Sequence, residues 1–104
     1  MKSGLDQETA VAVINQGSGC NFFSEKVFPG FILQGRYEGT GAIEIGVKDV
    51  KCFLEEAERL QVEAPMASAV SNLQKRVAES GRPGRDTLEA LHFFTDLAGV
   101  PRTG

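Results

Sequence analysis

VKDVKCFLEEAERL, running from Val47 to Leu60, decides the fold class. Val47, Val50, Leu54, Ala57 and Leu60 recur at i, i+3, i+7, i+10 and i+13, the spacing of one face of an α-helix. Glu55, Glu56, Glu58 and Arg59 fall off that stripe, so the segment reads as an amphipathic helix with one buried side. Order begins near Val47, which places Lys48-Asp49 at the helix start. There the Asp complements the macrodipole, whereas a cation is slightly unfavourable unless an anion or polar ligand lies near.

Towards the C-terminus the same period continues. Gln61–Ala64 is a connection, and Pro65 suits the first turn of a second helix because its missing N–H needs no partner there. Met66, Val70, Leu73 and Val77 give that helix an apolar face, and Ser80-Gly81 ends it. Arg82-Pro83-Gly84-Arg85 is a turn. Asp86 with Glu89 makes a capping-box start to a last helix, faced by Leu88, Leu91, Phe94 or Thr95, and Ala98, and closed by Gly99 and Pro101.

Towards the N-terminus, Asp6 caps a first helix by accepting from the amide of Glu8 or Thr9, with Leu5 placed to staple onto Ala10. Gly17-Ser18-Gly19 stops that helix through the left-handed conformation open to glycine. From Cys20 to Gly46 the pattern loosens. Pro29, Gly30, Gly35, Gly39, Gly41 and Gly46 break long elements, and Phe31–Gln34 reads as a short strand, a loop or a helical turn. Phe22, Phe23, Phe28, Phe31 and Tyr37 in this stretch must pack on something, within the chain or outside it, because exposed apolar area costs ~25 cal/mol per Å². The expectation is a mainly α protein: residues 1–104 as a single helical domain of about four helices, without internal repeats.

Composition agrees. With 104 residues, 41% hydrophobic, 24% charged and a net charge of −3, the chain is neither disordered nor suited to binding nucleic acid by phosphate neutralisation. No apolar run reaches the ~20 residues of a membrane span, and no apolar leader follows Met1, so a cytoplasmic location is expected. Cys20 and Cys52 match no zinc spacing and read as two reduced thiols, Cys52 as a small buried hydrophobe on its helix.

Several chemistries have no carrier. Gly17-Ser18-Gly19 holds only the start of a G-x-G-x-x-G fingerprint and follows a helix, not a strand; no P-loop is present. No nucleophile–His–acid set can be nominated, so no catalytic residue and no metal ligand is assigned. His92, beside Leu91 and Phe93, reads as a partly buried packing residue, and Glu55-Glu56-Glu58 as a solvated surface.

Gly4-Leu5-Asp6, Ile14-Asn15, Ser18-Gly19, Val47-Lys48-Asp49-Val50, Leu54-Glu55, Ala57, Pro65, Gly81 and Asp86 carry a resemblance in their order and spacing. From Leu5 to Gly99 the chain resembles the C-terminal helical domain of the β-hydroxyacid dehydrogenases, the family of 3-hydroxyisobutyrate dehydrogenase and tartronate semialdehyde reductase, with a fold like that of the C-terminal domain of 6-phosphogluconate dehydrogenase-like proteins. The resemblance implies a parent enzyme that reversibly oxidises a small 3-hydroxy acid with NAD or NADP. In that family a Rossmann domain holds the dinucleotide, a lysine on a long interdomain helix is the acid/base, and the helical domain builds most of a homodimer interface. Lys48, in the place of the family's K-D-L lysine, is implied to contact the cofactor, an ammonium on a flexible stem serving polar or anionic groups.

The chain departs from that pattern in lacking the Rossmann domain and the catalytic-lysine helix, and in having Thr40-Gly41 where the family often has Gly-Phe. By itself it is expected to bind dinucleotide weakly or not at all and to leave hydroxy acids unturned. A non-enzymatic helical dimerisation or interaction module is the alternative, and a small helical regulator unrelated to dehydrogenases is a third.

Overall fold

The computed structural model describes residues 1–102 and is helical throughout: no strand occurs among the described residues, only an isolated bridge between Ala42 and Asp86. α1 spans Gln7–Asn15, capped as the sequence predicts, with the Asp6 carboxylate accepting from the Thr9 amide at 2.8 Å. It ends without a left-handed residue. Gln16 and Gly17 instead tighten the last turn, donating to Val13 O and Ile14 O, which corrects the expected role of Gly17 and Gly19.

The glycine-rich stretch is more ordered than its composition suggests. A π-helical turn, Phe23–Val27, runs into α2, Phe28–Gly30, and a 3₁₀ turn, Ile32–Gln34, closes on Gly35 at φ +70°. Phe31–Gln34 is therefore a helical turn and not a strand. Ser24 anchors the π turn from inside: its hydroxyl accepts from the Asn21 amide at 2.9 Å, and the Asn15 side chain donates to its carbonyl at 2.9 Å. The wide turn brings the Ser24 backbone to α1.

α3 spans Ile43–Arg59, α4 Pro65–Glu79 and α5 Ala90–Ala98, the last preceded by a 3₁₀ turn, Thr87–Glu89. α3 and α4 form a helical hairpin. The α3 C-terminus is a Schellman closure: Val62 donates to Ala57 O at 2.8 Å while Gln61 takes φ +59°, a left-handed position held by a non-glycine residue. α5 ends as expected on Gly99 at φ +70°.

Burial follows the expected stripes only in part. Ile43, Val77 and Leu88 are the buried apolar residues where α3, α4 and the turn before α5 meet, Ala57 is buried near the other end of α3, and Ile32 is the buried apolar residue of the N-terminal region. Leu60 at the end of the α3 stripe is exposed, and on α4 Met66 (80% exposed) and Val70 point outward while Ser71 is buried. The expected face is thus kept only in its second half, where Leu73 is half-buried and Val77 buried. Cys52 is exposed, correcting its reading as a buried hydrophobe; both cysteines are free.

The chain covers little of itself. Its accessible area is 7259 Å², against about 5,700 Å² for a folded monomer of this mass. Its radius of gyration, 15.3 Å, exceeds the roughly 13 Å of a compact domain of this length. No described side chain falls below 2% exposure, and Phe22, Phe53, Val62, Met66 and Leu97 stand in solvent. No helix among the described residues is long and apolar enough to cross a membrane.

Candidate functional site

Lys48 lies on α3, but not where the sequence places it. The helix begins at Ile43, so Lys48 belongs to its second turn and the first-turn macrodipole argument lapses. Four residues were missed at this end because Gly46 reads as a breaker. A Cβ there would stand only 3.4 Å from Gln74 Nε2, so the glycine serves close packing inside a helix. Lys48 projects its ammonium into solvent, 67% exposed, and pairs with Asp49 Oδ1 at 3.0 Å. The hydrogen bond to Asp49, then the Asp49 charge, holds the lysine above its ordinary pKa and keeps it cationic at neutral pH.

The start of α3 is fixed from across the chain. Asp86 accepts from the Thr40 amide (2.8 Å), the Thr40 hydroxyl (2.7 Å), the Gly41 amide (3.2 Å) and the Leu88 amide (2.9 Å). Thr87 donates its amide to Gly41 O and Ile43 donates to Arg85 O, each at 2.9 Å. The Glu44 carboxylate accepts from the Gly84 amide at 3.0 Å. Burial works to raise the Asp86 pKa, but the bonds from Leu88, Thr40 and Gly41 outweigh it and hold the carboxyl below its ordinary value.

Thr40-Gly41, the departure from the family's Gly-Phe, is thus the segment that Asp86 grips, and Gly41 at φ +106° suits glycine. Asp86 is read correctly as a cap, accepting from Leu88. Its reach to residue 40 has no local signal. Glu89 does not complete a capping box; its carboxylate meets Arg82 at 3.2 Å.

Arg85 is the residue sequence reasoning missed. Inside an apparent surface turn it is 6% exposed, donating to the carbonyls of Val77 and Ala78 (3.3 Å) and to the Ser80 hydroxyl (3.1 Å) at the end of α4. Gly81 makes room for it, since a Cβ there would sit 2.6 Å from Arg85 Nη1. That glycine is the one available hint.

The remaining candidates behave as read. His92 is half-buried, its ring centroid 4.6 Å from that of Tyr37. Glu55, Glu56 and Glu58 are exposed, Glu56 paired with Arg59. Among the described residues no group of histidines, cysteines or carboxylates could hold a metal. Lys48 is an exposed cation, and no strand–glycine loop–helix of the kind that holds a dinucleotide pyrophosphate occurs among the described residues.

Residues 1–94 match the family described as "NAD-binding of NADP-dependent 3-hydroxyisobutyrate dehydrogenase". L-threonate dehydrogenase of Cupriavidus necator is 26% identical over 97 residues, covering 93% of this chain and 32% of that protein. 2-(Hydroxymethyl)glutarate dehydrogenase of Eubacterium barkeri is 28% identical over 108 residues, covering 100% of this chain and 35% of that protein. The chain spans about a third of the length of these curated relatives.

Proposed function

We propose a function from one premise, that this chain belongs to the NAD-binding family of NADP-dependent 3-hydroxyisobutyrate dehydrogenase. It is the C-terminal helical domain of an NAD(P)-dependent dehydrogenase of small hydroxy acids, and it closes the cofactor cleft from the side opposite the dinucleotide-binding domain. The observation that carries this is the combination of an all-helical fold with an exposed cation at Lys48 on α3. Such a fold supplies no pyrophosphate cradle, so it serves the cofactor as a wall, not as the main binding domain.

Lys48 supplies a protonated ammonium to a polar or anionic group of the cofactor, exchanging its weak pairing with Asp49. The Asp86 grip on Thr40 and Gly41 sets the direction from which α3 presents it. The names of the two relatives favour a small hydroxy acid as the substrate class. The cofactor, when bound, supplies the hydride chemistry; no residue of this chain is assigned a catalytic role, and the chain alone is inactive. It works in the cytoplasm as a homodimer. A surplus of about 1,600 Å² per copy would bury roughly 3,200 Å² in a pair, within the range of obligate dimers. That same surplus favours the second reading, a non-enzymatic dimerisation module.

A proton–nitrogen NMR titration with millimolar NAD and NADP separates the two. The dehydrogenase reading expects resonances around Lys48 to move and to stay still in Lys48→Ala. Well-dispersed resonances that never move remove the cofactor contact and put the interaction module first.

A further inference from the structure

At the C-terminal end of α4 lies a cavity of about 210 Å³ that the cofactor reading does not use. Arg82, Arg85 and Arg102 line it together with His92, Glu89 and Asp96. Arg76 lies over the ring of Phe93, another wall residue, 5.6 Å from its centroid. On a chain of net charge −3 this is a concentration of positive charge.

Two observations say that the lining is incomplete. Arg85 is 6% exposed, yet no carboxylate lies within ion-pair distance of it among the described residues. The α4 carbonyls accept its hydrogens but carry only partial charge, and the Glu44 carboxylate acts on it from beyond ion-pair distance, so the buried cation has no direct ionic partner. His92 Nε2 is buried and has no hydrogen-bond partner.

The two carboxylates do not fill the cavity's need. Glu89 takes one contact from Arg82 Nη2, and Asp96 takes Nε and Nη2 of Arg102. That leaves Nη1 of both guanidiniums without a partner among the described residues, on side chains oriented by their carboxylates. Among the described residues that line it, three guanidiniums stand against two carboxylates, and Glu44, outside the lining, is the further carboxylate whose charge Arg85 feels.

We propose that this cavity binds a small oxyanion, a phosphate or a carboxylate, held by Arg82 and Arg102 beside the buried charge of Arg85, with His92 in its wall. Arg85 sets the field and leaves the direct contacts to its neighbours, because its own Nη hydrogens go to the α4 terminus. The size of the cavity suits a group of a few heavy atoms.

The test is an NMR titration of the labelled chain, following the His92 imidazole nitrogens, with sodium phosphate and separately with sodium acetate. Sodium chloride at equal ionic strength is the control. The expected result is a saturable, millimolar response to at least one oxyanion, weakened about tenfold or more in Arg82→Ala and unchanged in Lys26→Ala. Arg82 is exposed, so its removal spares the fold. Saturation by phosphate alone or by acetate alone assigns the ligand's class, and either supports the site. A response that never saturates, that chloride reproduces, or that Arg82→Ala leaves intact overturns it.

Discussion

The two halves of the chain are built on different centres. Residues 40–102 gather Ile43, Ala57, Val77 and Leu88 around the α3–α4 hairpin and lock its entrance with Asp86 and Arg85. Residues 1–35 have a polar knot at their middle, Asn15, Asn21 and Ser24, with Ile32 their buried apolar residue. Phe22 and Phe23 on that side remain in water, as do Val13 and Ile14. One half has a core of its own. The other is held by hydrogen bonds, each of small net worth, and leaves its aromatics exposed.

The sharpest way to break this comparison is to truncate one side chain in each half. Leu88→Ala is expected to lose about 2–5 kcal/mol by denaturant unfolding, since Leu88 is 2% exposed. Phe22→Ala, at 74% exposure, leaves the stability of the separate chain within about 0.5 kcal/mol and weakens self-association. Equal losses at both positions would mean that the N-terminal half has a core as well.

Gly81→Ala tests the C-terminal lock. A methyl 2.6 Å from Arg85 Nη1 must displace the buried guanidinium, and a loss of about 1–3 kcal/mol in the melting free energy is expected. No loss would show that Arg85 holds nothing. Asp86→Asn is expected to remove about 1–3 kcal/mol and to flatten the acid limb of the stability profile. The sign follows from the lowered pKa of Asp86: its contribution is present above the ordinary carboxylate value and is lost as pH falls through the folded one. The smallest effect is a gain. Gln61→Gly relieves a left-handed residue at the Schellman closure and is expected to raise stability by about 0.5–1 kcal/mol in chemical denaturation.

Legibility in the sequence follows the same division. The α3 stripe from Val47 to Ala57, the Pro65 start of α4, the Asp6 cap and the Gly99 stop are local signals, and each appears where its residues place it. Features that depend on remote partners were not readable. The start of α3 at Ile43 rests on Arg85 and Gly84, some 40 residues away, and so does the tolerance of Gly46 on Gln74. The π turn at Phe23–Val27 follows from Asn15 and Ser24 and has no periodicity of its own. Lys48 is singled out by its motif alone, and its proposed role rests on that motif, while Arg85 was hidden because an arginine in a Gly-Pro-rich turn reads as solvated.

The proposed homodimer would cover the exposed aromatics of the N-terminal half and the exposed Met66 and Val70 of α4. Light scattering of the chain at micromolar concentration tests that most directly. The account predicts a molar mass about twice the 11.2 kDa of one chain, whereas a stable, monodisperse species at 11.2 kDa would contradict it.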